Sequence, residues 1–222
     1  MRMTKSDYTH IVFVLDRSGS MASVADDAVG GFNQFLKEQK NAPGQATMTF
    51  AQFDHEFDML YNFVPISQVP ELNEKSFEPR GMTRLLDAVG RTIVTVGKYL
   101  ADMSEYKRPS KVVFAILTDG HENDSREYNR AKVFEMIKHQ ESKYNWQFAY
   151  LSSDMNAVLD AQSYGIPMAG TYHFTANNGP AMKGAFVNLS ASLVSYRSGG
   201  DIFNLNEEDS KTDLSTEAKA TA

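Results

Sequence analysis

Asp16, Ser18 and Ser20 stand two residues apart in the run Leu15-Asp16-Arg17-Ser18-Gly19-Ser20-Met21, directly after the apolar stretch Ile11-Val12-Phe13-Val14. A carboxylate and two hydroxyls at that spacing, where a buried strand ends, gather hard oxygen donors at one point. Mg²⁺ and Mn²⁺ prefer oxygen ligands in octahedral geometry and give up water reluctantly, so such a set suits them, directly or through water. Two further stretches supply donors of the same kind. Val112-Val113-Phe114-Ala115-Ile116-Leu117-Thr118 reads as a second buried strand and also ends in a carboxylate, at Asp119-Gly120. Gly81-Met82-Thr83 precedes a strongly periodic helix, in a loop able to carry the Thr83 hydroxyl to the same place. The candidate metal ligands are therefore Asp16, Ser18, Ser20, Thr83 and Asp119.

Only Asp16 and Asp119 in this set carry charge, and together they just balance a divalent cation. The cation would keep its affinity for one more anion, so an open coordination position fits water or the Asp or Glu carboxylate of a partner protein. Two other uses of the same residues compete. In one, Asp16 and Ser20 cap the first helix and Thr83 caps the second, leaving a structural module with a vestigial site. In the other, Asp16 is the nucleophile of a Mg²⁺-dependent phosphohydrolase. Such enzymes usually place a second carboxylate two residues on as general acid and base, and that position here is Ser18, whose hydroxyl cannot readily do the job near neutral pH. His121 is the nearest candidate base and reads as a solvated loop residue. No Gly-Xaa-Ser-Xaa-Gly elbow and no phosphate-cradling glycine loop occurs.

The elements that must position these groups alternate. After the first strand, Val24, Ala28, Phe32, Phe35 and Leu36 recur at helical spacing from Ala22 to about Lys40, with Gly30-Gly31 explained by close packing on the sheet. Ala46 to Phe53 and Glu56 to Phe63 read as an antiparallel hairpin turning at Asp54-His55. Thr83 to about Met103 is an amphipathic helix, Arg126 to Lys143 another, and Trp146 to Leu151 a strand. Ser152-Ser153-Asp154 caps a helix to about Tyr164. Thr171 to Phe174 is a short strand, and Met182, Phe186, Leu189, Leu193 and Tyr196 mark a final helix. Such alternation implies a doubly wound, mostly parallel α/β sheet with one antiparallel edge and helices on both faces. Ligands bind in such sheets beyond the carboxyl ends of the strands, where Asp16 and Asp119 lie. Arg17 and Met21 flank the site as candidate partner contacts, Asp154 lies at its rim, and Glu122 and Asp124 offer a weaker second cation position.

At 222 residues the chain suits one domain, and 42% hydrophobic with 23% charged residues is an ordinary globular composition. A net charge of -6 without a Lys/Arg stripe argues against nucleic acid. No run reaches the roughly 18 apolar residues of a membrane span. The absence of cysteine removes disulfides, thiolate metal sites and thiol nucleophiles. With no apolar signal region at the N-terminus, the expected location is the cytoplasm. The last 22 residues hold six acidic against two basic side chains. The expected division is an N-terminal extension 1–7, a domain 8–197 and an acidic, disordered tail 198–222.

The Asp-Xaa-Ser-Xaa-Ser run, a lone Thr before a helix and a strand ending Thr-Asp-Gly together resemble a von Willebrand factor A (VWA) domain with its metal-ion-dependent adhesion site (MIDAS). All five motif positions, Asp16, Ser18, Ser20, Thr83 and Asp119, are filled without substitution. The resemblance implies a six-stranded Rossmann-like sheet of order 3-2-1-4-5-6, a Mg²⁺ or Mn²⁺ cofactor and a non-enzymatic, protein-binding role. It also implies that Ser18, Ser20 and Thr83 are direct ligands, with the aspartates acting through water. The stretch Tyr150 to Ala157, with Gln162-Ser163-Tyr164-Gly165-Ile166, is similar to compact, signal-less VWA proteins of bacteria and phages.

Overall fold

Strand β1 (Tyr8–Asp16) is buried at every residue, because both faces of the sheet around it are covered. The computed structural model describes residues 7–153, 161–175, 179–200 and 203–205. In it β1 lies between β2 (Gln45–Phe53) and β4 (Lys111–Thr118), parallel to both, and the sheet order is β3-β2-β1-β4-β5-β6. Among the described strands only β3 (Phe57–Pro65) is antiparallel, paired to β2, while β5 (Gln147–Ser152) and β6 (Thr171–His173) extend the sheet on the other side of β4. The alternating α/β reading, the antiparallel edge and the strand order are all realised.

Alternation along β1 divides two cores. Ile11, Phe13 and Leu15 face helices α1 (Ala25–Asn41) and α4 (Gly179–Arg197), while Val12 and Val14 face α2 (Leu85–Asp102) and α3 (Arg130–Tyr144). The two glycines of α1 do different work. A Cβ on Gly31 would lie 2.2 Å from the Phe186 ring, whereas one on Gly30 would meet nothing within 4 Å. Gly31→Ala is thus expected to lose about 1–3 kcal/mol by overpacking. Gly30→Ala should gain about 1 kcal/mol of helix propensity. Urea unfolding of the two variants checks the opposite signs.

Three boundaries differ from the sequence reading. A 3-10 turn at Gly19–Val24 precedes α1, so the helix proper starts later than expected. Helix α3 starts at Arg130, capped by the Asn129 side chain, because Arg126, Glu127 and Tyr128 donate their backbone N–H groups to the Asp87 carboxylate. At the C-terminus the packed chain runs past the expected limit of 197: Phe203 and Leu205 are buried in the α1/α4 core, and Leu205 N–H donates to the Ala169 carbonyl. The rest of the expected acidic tail, 206–222, lies outside the described residues, as does most of the helix expected from Asp154. Residues 161–163 are helical. Among the described residues no helix is long and apolar enough to cross a membrane.

The β2–β3 edge carries a bulge where the register slips between Met48 and Phe50. There Phe63 takes φ 53°, its ring stacked 3.7 Å from His10 on one side and 4.0 Å from Tyr99 on the other. The Thr49 hydroxyl donates to Asn62 Oδ1 and so accepts from His10 Nε2, which leaves Nδ1 to accept from the Thr47 hydroxyl. That pattern requires the neutral ring, and burial supplies the reason by pulling its pKa down to about 3. An unfolded histidine titrates near 6.5, so below that pH the unfolded chain binds a proton that the folded chain refuses. Stability is expected to be full above about pH 6.5 and to fall by up to about 1.4 kcal/mol per pH unit as the pH drops toward 3. In His10→Leu this part of the slope should vanish in urea titrations between about pH 7.5 and 5. An unchanged slope would refute the assignment.

Candidate metal centre

The register that pairs Leu15 with Leu117 sets Asp16 beside Thr118 on neighbouring strands, at their carboxyl ends. The Thr118 hydroxyl donates to Asp16 Oδ2 (2.6 Å), and Ser18 N–H donates to Oδ1 (2.6 Å) as the chain turns out of the sheet. That turn carries the two serines round so that their hydroxyls lie 3.1 Å apart, and Ser20 donates to Asp119 Oδ1 (2.7 Å). Asp16, Ser18, Ser20 and Asp119 therefore form one hydrogen-bonded cluster across two loops. The Thr83 loop is stitched alongside: Gly19 N–H donates to the Gly81 carbonyl, Thr83 N–H donates to the Asn123 side-chain Oδ1 beyond β4, and Asn123 N–H donates back to the Thr83 carbonyl.

The cluster is graded from inside to outside. Asp16 is fully buried, Ser18 and Thr83 nearly so, Asp119 is half-buried and Ser20 is exposed at the mouth. Among the described residues neither Asp16 nor Asp119 has a cationic partner. Burial, aided by the charge of Asp119, pushes the Asp16 carboxyl up to about 7, although the Thr118 and Ser18 hydrogen bonds work the other way. Burial also raises Asp119. Two carboxylates held in a half-closed well without a counter-ion, beside neutral hydroxyls, are a donor set that fits a hard divalent cation.

Helix capping does not account for these residues. The 3-10 turn after Ser18 has no side-chain cap, and neither does α1 or α2 at its cap position. The start of α2 is held instead by Glu122, which accepts from Leu86 N–H and also from Asp124 N–H, Ser125 N–H and the Ser125 hydroxyl. Asp124 is paired with Arg84 and Arg126. The second cation position suggested for Glu122 and Asp124 is accordingly not formed: their oxygens serve the loop itself. Met21 is not at the rim either, being fully buried in the α1/α4 core.

Arg17 also departs from expectation. Its side chain turns away from the well and is nearly buried, donating to Asp54 Oδ2 (2.9 Å) and Asp58 Oδ2 (2.5 Å). Asp54, read from sequence only as a hairpin turn, is a hub. Arg80 Nε donates to the same Oδ2 (3.0 Å), Glu56 N–H donates to Oδ1 (2.5 Å), and the Asp54 carbonyl accepts from Arg84 N–H. Arg80 is also paired with Glu56. Arg17 belongs to the first ligand loop and Arg80 to the second, so this one carboxylate ties together the segments that carry Ser18, Ser20 and Thr83. Asp54, His55 and Glu56 offer ligand atoms within 4.8 Å of one another, but two guanidinium groups already neutralise the trio. The signal was present in the sequence: β2, like β1 and β4, runs from buried apolar residues straight into an aspartate.

No family model matches the sequence, and no curated protein matches it. Solved structures do. The vWF domain of the type V pili tip protein Mfa5 from Porphyromonas gingivalis superposes with TM-score 0.63 at 10% identity, over 90% of this chain and 99% of that one. The fold is that of a VWA domain. The PilB minor pilin from Streptococcus sanguinis matches over 90% of this chain with TM-score 0.63 and 11% identity, and this chain spans 64% of it. Proximal thread matrix protein 1 from the mussel byssus, with a zinc-occupied MIDAS motif, matches over 85% of this chain with TM-score 0.56 and 13% identity, and this chain spans 46% of it. Against that fold the well of Asp16, Ser18, Ser20 and Asp119 sits at the carboxyl ends of the two central strands.

Proposed function

We propose that this VWA domain is a protein-binding module whose contact is made through a divalent cation. Asp16, Ser18, Ser20, Thr83 and Asp119 hold Mg²⁺ or Mn²⁺, and the carboxylate of a partner's Asp or Glu takes the remaining position at the exposed mouth. The observation that carries the reading is the fully buried Asp16 carboxylate, linked through Thr118, Ser18 and Ser20 to Asp119 without a cationic partner among the described residues. A bound cation would supply the missing positive charge and a Lewis-acidic point for the partner's oxygen. Support by likeness comes from a relative of the same fold that holds zinc at such a motif, and from pilus proteins among the fold's other members. No catalytic role is assigned. Ser18 stands where a phosphohydrolase would need its acid, and a hydroxyl cannot readily do that job near neutral pH.

The test is affinity capture with wild type and Asp16→Asn as bait, each in Mg²⁺ and in EDTA, after both are shown to be folded. A partner retained only by wild type in Mg²⁺, and released by free glutamate-rich peptide, is the expected result. Retention in EDTA equal to that in Mg²⁺ would defeat the proposal.

A further inference from the structure

At the opposite end of the sheet from the metal centre, α2 and α3 stand apart over the start of β4 and leave a groove of about 950 Å³. Its floor is apolar: Ile93 and Leu100 of α2, Val112 of β4 and Trp146 at the start of β5. Two apolar side chains at its lip are exposed, Val94 at 51% and Tyr144 at 61%. The groove is open at Gly97, where an added Cβ would meet only Gln140 Nε2, at 3.9 Å.

Three features define what fits. First, the rim carries Lys98, Arg108 and Lys132 against one carboxylate, Glu135, although the chain as a whole is at -6. The Lys132–Glu135 contact is 3.9 Å between exposed groups and neutralises little. Arg108 donates to the Ala101 and Met103 carbonyls at the end of α2 and so keeps its full charge at the groove's end. Second, the walls are the sides of α2 and α3, closed at one end by the loop 108–110, and among the described lining residues no free strand edge is offered to an extended peptide. An occupant must satisfy its own backbone hydrogen bonds, which favours a helix. Third, the lining runs along α3 from Lys132 to Tyr144, roughly 18 Å at helical rise, the length of about three turns.

We propose that this groove seats an acidic amphipathic helix of a partner protein, with an apolar stripe at i, i+3, i+4 and i+7 against Trp146 and Leu100 and its flanking carboxylates against Lys98, Arg108 and Lys132. The seat is independent of the cation. β4 spans the distance between the two sites, so a partner could engage one without the other, or two partners could engage at once.

Trp146 is the chain's one tryptophan and lies on the floor, so it reports occupancy directly. The probe is a stapled helical peptide of about 14 residues, with leucines in that stripe, glutamates beside it and a dansyl acceptor. A control peptide has lysines for the glutamates. Energy transfer from Trp146 should saturate with the acidic peptide at least about tenfold more tightly than with the basic one, and the gap should narrow with salt. Lys98→Glu with Lys132→Glu should reverse the preference. Gly97→Leu should abolish binding while the protein stays folded, since the position is open. EDTA and Asp16→Asn should change nothing, which separates this test from that of the metal site. No saturable transfer up to about 1 mM, equal affinity for both peptides, or full binding by Gly97→Leu would overturn the proposal. So would sedimentation showing a dimer that Gly97→Leu dissociates, because the occupant would then be a second copy of this chain.

Discussion

Asp16→Asn is expected to cost the protein its divalent cation while leaving the cation-free fold as stable as before, or more so. The buried carboxylate is raised to about 7, meaning that its ionised form is disfavoured where it sits. A neutral amide removes that penalty and fits the hydrogen bonding. Asn Oδ1 can accept from Ser18 N–H, and Nδ2 can donate to the Thr118 oxygen, whose hydroxyl turns to the Gly120 carbonyl that it already approaches at 3.1 Å. Metal affinity should fall by about 100-fold or more, since outer-shell partners alone are commonly worth 10–100-fold. Thermal unfolding with and without Mn²⁺ reads both halves: wild type gains stability with the ion by mass action, and the variant does not. A variant whose melting temperature rises with Mn²⁺ as much as that of wild type would remove Asp16 from the ligand set.

The second large effect is expected at Asp54. Asp54→Ala leaves the Arg17 guanidinium, only about a tenth exposed, with Asp58 as its remaining carboxylate, itself about half exposed. Breaking a buried pair by removing one partner typically costs about 3–5 kcal/mol. In a domain of this size each kcal/mol moves the melting temperature by about 2–4 °C, so a fall on the order of 10 °C is expected. The Arg80 side chain is about half exposed and loses less, so Arg80→Met should be several-fold milder. Because both arginines sit on loops that carry candidate ligands, the Asp54 variant should also bind Mn²⁺ more weakly at temperatures where it is still folded. Equal melting temperatures for Asp54→Ala and Arg80→Met would show that the hub does not hold Arg17.

The parts of this molecule legible in its sequence are those governed by short-range pattern. Apolar runs ending in aspartate located β1 and β4, and their parallel pairing brings Asp16 and Asp119 together without further information. Period-3.6 spacing placed α1, α2 and α4, because each buries one face against the sheet. What was not legible depends on partners far away in sequence. Arg17 reads from its own loop as a rim residue, but Asp54, 37 positions on, holds it. Arg126 to Tyr128 read locally as the first turn of α3, but the Asp87 carboxylate, about 40 positions earlier, accepts from their N–H groups. Phe203 and Leu205 sit in a stretch without periodicity, and their burial follows from distant partners: the Phe203 ring meets Tyr196 of α4, and Leu205 N–H donates to the Ala169 carbonyl.

The link from Ser20 to Asp119 joins residues 99 positions apart, and that from Thr118 to Asp16 joins residues 102 apart. Closing contacts of such range carries a loop-entropy penalty that no local turn can offset in advance. The well is therefore expected to be complete only once β1 and β4 have paired. An ion cannot guide that pairing, since a partly folded chain offers it scattered hydroxyls and solvated carboxylates. What it can do is bar the way back, lengthening the lifetime of the native state while leaving the speed of its formation untouched.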